Sequence, residues 1–489
     1  MTTETLAQPV QTQVQKPVTA ECPLLDQRFA ELKRSLVKPE HKQKVTESYH
    51  RVCDVLKNEA AFIEKTGPKI IPEIDFNDVL ANGSSTYPEA SLSESSIIDM
   101  LTEITRNLGG KLPQSFTDLV RERGCLILRN VVPEEQATSW ETELTEYTKA
   151  HKSVGGFPRD NPQNWSLWWT RPQVQIRSHP RVLAAMSCVS HLWHVSNKDL
   201  PIDMDSQVVY PDRFRIRYPS KEAAYTLPAH LDSGAIERWE DKENRANFRE
   251  IFEGNWQDWD GWSADHRIEA KSDLYGVEPG CSCWRSLQGW LSMSHTSTGE
   301  GTIRLLPSLK ASVAYCMLRP LFHQGEEFDD SQPTFPGAKP GNTQFRPSRE
   351  HHPHLELDKS MVGIPPVKPG DYVFWHCDLV HEVDRFHSGN RNSSVSYNAC
   401  NPLTPYNIES LVHVREAFRQ AVPPKDFASS ASITERECEH EDHGAKEENI
   451  LSAQGKQALG LSPFDAEEPG LMEGQRHVRM LANRRLGLA

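Results

Sequence analysis

Helical periodicity dominates the first quarter of the chain. Apolar residues recur at i, i+4, i+7 and i+11 over residues 25–36 and again over residues 45–56, which is the period of one helix face. Pro39 lies between the two segments, and proline interrupts a helix interior. The same kind of apolar stripe predicts a further helix over residues 93–108. We expect these helices to pack on a larger core.

Strand-like patterns follow. Residues 125–132 form a short apolar run, and an amphipathic helix is predicted to begin at Pro133. From about residue 205 to 400, short β-rich runs alternate with turns rich in Gly, Pro, Asp and Asn: RFRIRYP, GWLSMSH, GTIRLLPS, GDYVFWHC and SSVSYNAC. This texture is typical of an antiparallel sandwich or jelly roll. The predicted fold class is therefore mainly β, with helical additions.

These patterns divide the chain into four parts. The assignment is a disordered tail rich in Thr, Gln and Pro, a helical N-terminal extension, a β core interrupted by two polar insertions, and a helical and acidic C-terminal extension. The tail spans residues 1–20, and the N-terminal extension spans residues 21–120. The β core spans residues 121–402, with insertions at about 240–286 and 322–360, and the C-terminal extension spans residues 403–489. Three tryptophans in the first insertion are expected either to cover a substrate or to anchor the loop: Trp256, Trp259 and Trp262.

Composition narrows the class of protein. The formal charge of −14 disfavours a nucleic-acid partner, because that affinity depends on clustered Lys and Arg. The ten cysteines contain no Cys-x-x-Cys spacing, which favours a reducing compartment. No run of 18 apolar residues occurs, and the N-terminus lacks the pattern of a signal peptide. We therefore expect a cytoplasmic protein with no membrane partner; the sequence does not indicate its oligomeric state.

Three His-x-Asp pairs are the first candidates for metal chemistry: His230/Asp232, His376/Asp378 and His440/Asp442. About one such pair is expected by chance in a chain of this composition, so the spacing alone decides little. Residues i and i+2 of a strand share one face, so a His-x-Asp pair in a strand can present an imidazole and a carboxylate to the same point. The alternation of its strand turns the His376 side chain away from a ligand five residues later. His440 lies in an acidic polar run, which is typical of a solvated loop. The pair at 230–232 is the strongest candidate.

A metal site needs a further ligand from elsewhere in the chain. His381 ends the strand that follows the turn at Gly370, and Arg391 and Ser393 come ten and twelve residues later. Two histidines and one carboxylate on one face of an octahedron bind non-haem Fe(II) in oxygenases. Arg391 and Ser393 share a strand face, and a guanidinium with a hydroxyl suits a carboxylate.

Taken in order, these motifs resemble the Fe(II)/2-oxoglutarate-dependent oxygenases. The chain looks like the phytanoyl-CoA-hydroxylase-like group and a related domain-of-unknown-function family of fungal and bacterial proteins. The likeness covers about residues 120–402, including GCLILRNVVPEEQ and GEGTIRLLPS. It implies a double-stranded β-helix core, of the jelly-roll or cupin kind, flanked by the N-terminal helices.

The resemblance also implies site roles. His230, Asp232 and His381 would bind Fe(II) as the catalytic centre, and Arg391 with Ser393 would hold the distal carboxylate of 2-oxoglutarate. With O2 the enzyme would oxidise, most simply hydroxylate, an unactivated C–H bond of a small molecule, giving succinate and CO2. The carboxylate at Asp232 favours hydroxylation over halogenation; desaturation, epoxidation and cyclisation stay open.

Other residues of the β region are also candidates for the pocket, and two other functions stay open. The alternation in RFRIRYP puts Arg215 and Arg217 on one strand face, either lining the barrel or forming ion pairs at its rim. Gln207, Trp290 and Tyr397 are further candidates for the pocket. A cupin-type metal oxygenase that does not use 2-oxoglutarate is one alternative function. An inactive barrel that serves as an interaction scaffold is another.

Overall fold

The structure, a computed structural model, describes five stretches of the chain: 22–82, 112–221, 227–323, 327–432 and 436–488. The tail expected over residues 1–20 and the helix predicted over residues 93–108 lie outside the described residues. Within those stretches, no helix is both long enough and apolar enough to cross a lipid bilayer.

Fifteen α-helices occur in the described residues. In chain order, α1 to α15 are Arg28–Leu36, Lys42–Thr66, Phe76–Asn82, Gln114–Arg123, Glu134–Ala150, Arg171–Ser178, Pro180–Ser190, Glu237–Glu240, Lys242–Ala246, Arg249–Phe252, Leu309–Leu318, Leu357–Ser360, Pro405–Gln420, Ala453–Ala458 and Glu473–Leu486.

The strands are short, and each β-like run singled out in the sequence contains one. In chain order, β1 to β15 are Glu73–Asp75, Cys125–Arg129, Gly156–Phe157, Asn164–Trp165, Asp203–Gln207, Phe214–Arg217, Leu287–Ser292, Ile303–Leu305, Phe322–His323, Glu327–Phe328, Val362–Gly363, Tyr372–His376, His381–Val383, Ser393–Tyr397 and Pro402–Leu403.

Two of the sheets carry the candidate site. The larger has the order β1-β2-β12-β7-β14-β6-β4-β3, and the smaller has the order β11-β8-β13. A backbone bridge between His230 and His381 adds the segment around residue 230 to the free side of β13. The chain therefore crosses between the sheets repeatedly, from β6 to His230, to β7, to β8 and β11, to β12, to β13 and to β14.

The N-terminal helix α2 packs on two helices from the later part of the chain. Helix α2 contacts α11 and α12 and buries the apolar stripe found in the sequence: Val45, Tyr49, Val52 and Leu56. The Tyr49 ring stacks on Phe322 with 3.7 Å between centroids and lies 5.7 Å from the Tyr315 ring. This aromatic contact joins α2 to the inner helix α11.

The expectation of a mainly β protein is wrong, because more residues lie in helices than in strands. Helix α11 explains part of the difference. Its residues are buried on all sides except Lys310, so the segment has no amphipathic stripe that periodicity can detect. The insertion at 240–286 likewise contains α9 and α10 where the sequence indicates only polar loop.

The tryptophans of that insertion anchor it to the protein body. Trp256, Trp259 and Trp262 are all buried. The indole N–H of Trp259 donates to the carbonyl of Asn247 at 2.7 Å, and that of Trp262 donates to the carbonyl of Arg121 at 3.1 Å. These contacts fit the anchoring alternative, because an indole bonded to the backbone is held in place.

The C-terminal extension is bound to the same body. The buried carboxylate of Glu437 accepts the backbone N–H groups of Trp168 and Trp169 at 2.7 and 2.8 Å. In α15, Arg479 forms a buried ion pair of 2.7 Å with Asp203 of β5. The Phe427 ring of the same extension lies 5.7 Å from the Trp168 ring, measured between centroids.

Candidate metal centre and its cavity

Three of the predicted residues meet between the two sheets. His230 and Asp232 lie in the segment bridged to β13, and His381 is the first residue of β13. The Nε2 atom of His230 lies 3.7 Å from one Asp232 oxygen, and the Nε2 atom of His381 lies 3.6 Å from the other. One potential ligand atom from each residue lies within 4.8 Å of the other two. The three side chains therefore converge on one point.

Both imidazoles are oriented for metal binding. The Nδ1 atom of His230 bonds to the carbonyl of Pro228 at 2.7 Å, and that of His381 bonds to the carbonyl of Leu379 at 3.0 Å. Because a carbonyl only accepts, each Nδ1 is the donor, and in the neutral form of such an imidazole the lone pair lies on Nε2. Metal-binding histidines in proteins are commonly held in this way. The residues fit a divalent metal such as Fe(II).

Two glutamine amides orient the carboxylate of Asp232. The Nε2 group of Gln288 donates to Oδ2 at 2.8 Å, and that of Gln344 donates to Oδ1 at 2.7 Å. The indole N–H of Trp375 donates to Oε1 of Gln288. Since the indole is only a donor, this contact fixes which end of the Gln288 amide faces Asp232.

Burial and neighbouring charges set the protonation states. Burial, followed by the charge of His381, lowers the pKa of His230 to about 4, so its imidazole is neutral at physiological pH. Burial alone would raise the pKa of Asp232. The neighbouring His381 and His230 rings and the charge of Arg285 instead hold the pKa of Asp232 well below its usual range. The centre therefore presents a neutral His230 imidazole and an ionised carboxylate, the states that bind a divalent cation.

A cavity of about 180 Å³ opens beside the three residues. Aromatic side chains and guanidinium groups form much of its wall: Tyr210, Trp290, Tyr397, Arg213, Arg215 and Arg285. Trp290 and Tyr397 are partners across β7 and β14, and both line the cavity. The cavity is large enough for a small organic acid at the metal centre.

Arg215 and Arg217 come from β6 and are both buried. Each donates to the carbonyl of Gly301, at 3.1 and 3.3 Å. In the described part of the chain neither forms an ion pair with a carboxylate, and Nε of Arg215 and one terminal nitrogen of Arg217 have no hydrogen-bond partner. Burial and the nearby Arg215 lower the pKa of Arg217 to about 10. Unpaired buried guanidinium groups favour an anionic ligand.

The two residues predicted to hold the 2-oxoglutarate carboxylate are not brought together. Arg391 lies in the loop before β14 with its side chain exposed, and it does not line the cavity. Ser393 is buried opposite Arg217 in the strand pairing and accepts a hydrogen bond from Thr296 at 3.4 Å. Because β14 begins only after Arg391, that residue takes no part in the strand pairing. The arginine that lies opposite Ser393 is Arg217 of β6.

Gln207 also lies away from this cavity. It ends β5, which pairs with β15 instead of joining the strands around the metal centre. Its amide donates to Ser190 and to the carbonyl of Met204, at 3.0 and 2.7 Å. It lines a separate cavity of about 290 Å³.

The other two His-x-Asp pairs have structural partners. His376 faces away from the centre, stacks on Trp193 with 4.8 Å between centroids and bonds to the carbonyl of Gly261. Asp378 pairs with Arg267 at 2.6 Å. Asp442 bonds to His151 at 2.9 Å. Each pair also belongs to a group of potential metal ligands that lie close together. In the structure, however, these side chains form the ring stacking, hydrogen bonds and ion pair described above.

The residues that the sequence reasoning missed are Arg285, Gln288, Gln344 and Trp375. Gln288 could have been found, because it stands two residues before Trp290 and so shares its strand face. Trp375 alternates in the same way along β12. Arg285 and Gln344 lie in the two insertions, where no periodic pattern indicates which side chains face the centre.

Replacing Gln288 with leucine is expected to weaken Fe(II) binding about 10- to 100-fold, because the ligand carboxylate loses the donor that orients it. Anaerobic equilibrium dialysis with metal analysis would measure this. Trp375→Phe, which removes only the indole donor to Gln288, should have a smaller effect. An affinity within about twofold of the wild type for Gln288→Leu would contradict the assigned role.

The chain is similar to proteins of known structure from a fungus and a bacterium. The crystal structure of the GlcNAc inducible gene 2 protein of Candida albicans is 38% identical, with 96% of each chain covered and a TM-score of 0.82. A hypothetical protein of known structure from Escherichia coli is 25% identical, covers 88% of this chain and 96% of its own, and has a TM-score of 0.70. The uncharacterised E. coli protein YbiU is 26% identical over 86% of this chain and 97% of its own length.

These relatives come from a fungus and a bacterium, which agrees with the resemblance to a fungal and bacterial family seen in the sequence. The family profile described as Gig2-like matches residues 23–461, so it spans the N-terminal helices, both sheets and most of the C-terminal extension. The chain belongs to the Gig2-like family.

Proposed function

We propose that this protein is an Fe(II)- and 2-oxoglutarate-dependent dioxygenase that hydroxylates a C–H bond of a small-molecule substrate. The observation that carries the proposal is the convergence of His230, Asp232 and His381 at the wall of a cavity, with both histidine Nδ1 atoms bonded to backbone carbonyls. Two histidines and one carboxylate with open positions are the ligand set of non-haem Fe(II) oxygenases.

The strand order supports a double-stranded β-helix core. Strands β6, β14, β7 and β12 are neighbours in the larger sheet, and the segment at His230, β13, β8 and β11 are neighbours in the smaller one. Antiparallel strands that alternate between two sheets are the architecture of a jelly roll. In such a barrel the metal ligands on one sheet face side chains that point inward from the other.

The residues of the chain would divide the chemistry among them. His230, Asp232 and His381 would hold the metal, while Gln288 and Gln344 keep the carboxylate in place. Bound iron supplies the oxidation of a C–H bond by O2, coupled to conversion of 2-oxoglutarate to succinate and CO2. Trp290 and Tyr397 give the cavity an aromatic wall that excludes water from the reacting substrate.

We assign the carboxylate clamp for 2-oxoglutarate to Arg215. Its guanidinium lines the cavity, is buried and has an unpartnered Nε, whereas the Arg391 side chain is exposed. Arg217 and Ser393 lie beside it on the inward face of β6 and β14. Desolvated guanidinium groups without carboxylate partners gain most from a charge-assisted bond to a ligand anion.

Arg215→Met is expected to raise the 2-oxoglutarate concentration for half-saturation at least about tenfold, because a hydrogen bond to a charged group contributes about 1.5–3 kcal/mol. The measurement is an anaerobic titration of the Fe(II)-loaded protein, followed by the weak visible charge-transfer band of an iron-chelated keto acid. Arg391→Met is the matched control and should bind within about twofold of the wild type. The reverse pattern would move the clamp to Arg391.

The same titration separates the competing functions. A band in the wild type supports the proposed dioxygenase. Iron binding without any effect of 2-oxoglutarate would favour a cupin-type metal oxygenase that does not use the keto acid. A protein that binds no iron would be consistent with an interaction scaffold and would overturn the proposed activity.

A further inference from the structure

A pair of cysteine thiols lies in the segment leading into β7. The side chain of Cys281 lines the cavity of the metal centre, and Cys283 is buried beside it. Their Sγ atoms are 3.7 Å apart, and the Cys281 thiol also lies 3.3 Å from the carbonyl oxygen of Cys283. The two sulfur atoms are thus in contact, and small movements of the side chains would bring them to bonding distance.

The backbone that carries the two thiols is fixed. The carboxylate of Asp426 accepts the backbone N–H of Ser282 at 2.8 Å and the hydroxyl of Tyr210 at 2.9 Å. The amide of Asn407 accepts the N–H of Trp284 at 2.7 Å and donates to its carbonyl at 3.0 Å. Anchors on both sides of Cys283 keep the two side chains adjacent.

The electrostatic surroundings differ for the two thiols. A hydrogen bond from Cys283, together with the charge of buried Arg285, lowers the pKa of Cys281 in spite of its burial. Burial raises the pKa of Cys283 well above its ordinary value. The pair therefore combines a thiol whose pKa is lowered with a neighbour that stays protonated, and only a thiolate attacks peroxide at a useful rate.

The other buried cysteines provide the contrast. Burial raises the pKa of Cys125, Cys188, Cys316 and Cys377 to about 12, and none of these four lines the cavity. Cys281 alone among the described cysteines combines a lowered pKa with a place on the cavity wall.

We propose that Cys281 and Cys283 are a peroxide-reactive pair that closes to a reversible disulfide in the wall of the cavity. The Cys281 thiolate attacks one oxygen of hydrogen peroxide, the O–O bond breaks, and a sulfenic acid forms with release of the other oxygen as water. The Cys283 sulfur then attacks the sulfenic sulfur and releases a second water. Two thiols are oxidised and one peroxide is reduced to two waters, so the reaction needs no other oxidant.

The redox state of this pair would alter the cavity itself. Arg285, whose guanidinium neighbours both Cys281 and Asp232, loses the free Cys281 thiol as a neighbour when the disulfide forms. The inference does not depend on the proposed oxygenase function, because any source of peroxide would oxidise the pair.

The sequence makes the test direct. Cleavage after Lys271 and after Arg285 by trypsin releases one peptide, residues 272–285, that contains both thiols and no other cysteine. The reduced full-length protein, without added metal, is treated with one equivalent of hydrogen peroxide near neutral pH. It is then quenched into a maleimide in denaturant, digested and weighed by mass spectrometry.

We expect this peptide to lose two hydrogens and to take up no maleimide until it is reduced. Its reaction should be at least about tenfold faster than that of the peptide containing the exposed Cys438, because thiolate character governs the rate. Cys283→Ser should stop at a sulfenic acid that dimedone captures. Cys281→Ser should leave the remaining thiol reduced.

The proposal is overturned if residues 272–285 keep both thiols while Cys438 oxidises. It is equally overturned if Cys281→Ser is oxidised as fast as the wild type. Because the assay uses no iron and no 2-oxoglutarate, neither result can be confused with failure of the proposed oxygenase function.

Discussion

Replacing His230 with alanine is expected to weaken Fe(II) binding by more than about 100-fold, since even loss of a group that only orients a ligand costs 10- to 100-fold. The variant leaves two ligands, and the proposed oxidation of substrate should become undetectable. Equilibrium dialysis of the metal-free protein under anaerobic conditions, with metal analysis, measures the binding directly. Asp232→Ala and His381→Ala should behave in the same way.

The matched control is His295→Ala. His295 is half exposed, bonds to Glu134 at 2.9 Å and lies outside the cavity. It should bind iron like the wild type and have the same thermal midpoint. Wild-type affinity in His230→Ala would refute the assigned centre, provided that circular dichroism shows all the variants to be folded.

Asp378→Ala is expected to lower the free energy of unfolding by about 3–5 kcal/mol, as found when one partner of a buried ion pair is removed. The Asp378 carboxylate lies 2.6 Å from Arg267 and 3.7 Å from Arg238, and all three side chains are buried. Arg238 in turn donates to the carbonyls of Asp232 and Gly234 at 2.8 and 2.7 Å. The substitution would leave two guanidinium groups buried without a carboxylate.

Urea unfolding monitored by fluorescence would measure this loss. Asp442→Ala serves as the control, because Asp442 belongs to the same kind of His-x-Asp pair but is exposed. Its free energy of unfolding should stay within about 0.5 kcal/mol of the wild type. A loss below about 1 kcal/mol for Asp378→Ala would mean that the protein relaxes around the missing carboxylate.

Much of the centre could be predicted from local spacing. His230 and Asp232 share a strand face, and His381 follows a recognisable turn and strand, so their meeting depended only on the two sheets facing each other. The alternation in β6 likewise indicated that Arg215 and Arg217 share one face. Period-two patterns are informative here because successive side chains of a strand point to opposite faces of its sheet.

The remaining parts depend on tertiary contacts that no local pattern encodes. Arg391 has the spacing of a strand residue, yet β14 begins two residues later and its side chain turns outward. Gln344 reaches Asp232 from an insertion, across 112 positions of sequence. Helix α11 is apolar on nearly every face, so its sequence shows no apolar stripe that would indicate a helix.

The place of Phe427 in the cavity wall has a consequence for how specificity can diverge. Phe427 lies at a kink between two short 3-10 segments after α13, well beyond the last candidate iron ligand, and it lines the same cavity as His381. A change in this C-terminal segment would therefore alter the wall of the cavity without changing any of the three candidate metal ligands. Under the proposed function, exchanging that segment between relatives is expected to change which substrate binds while the three candidate metal ligands stay the same.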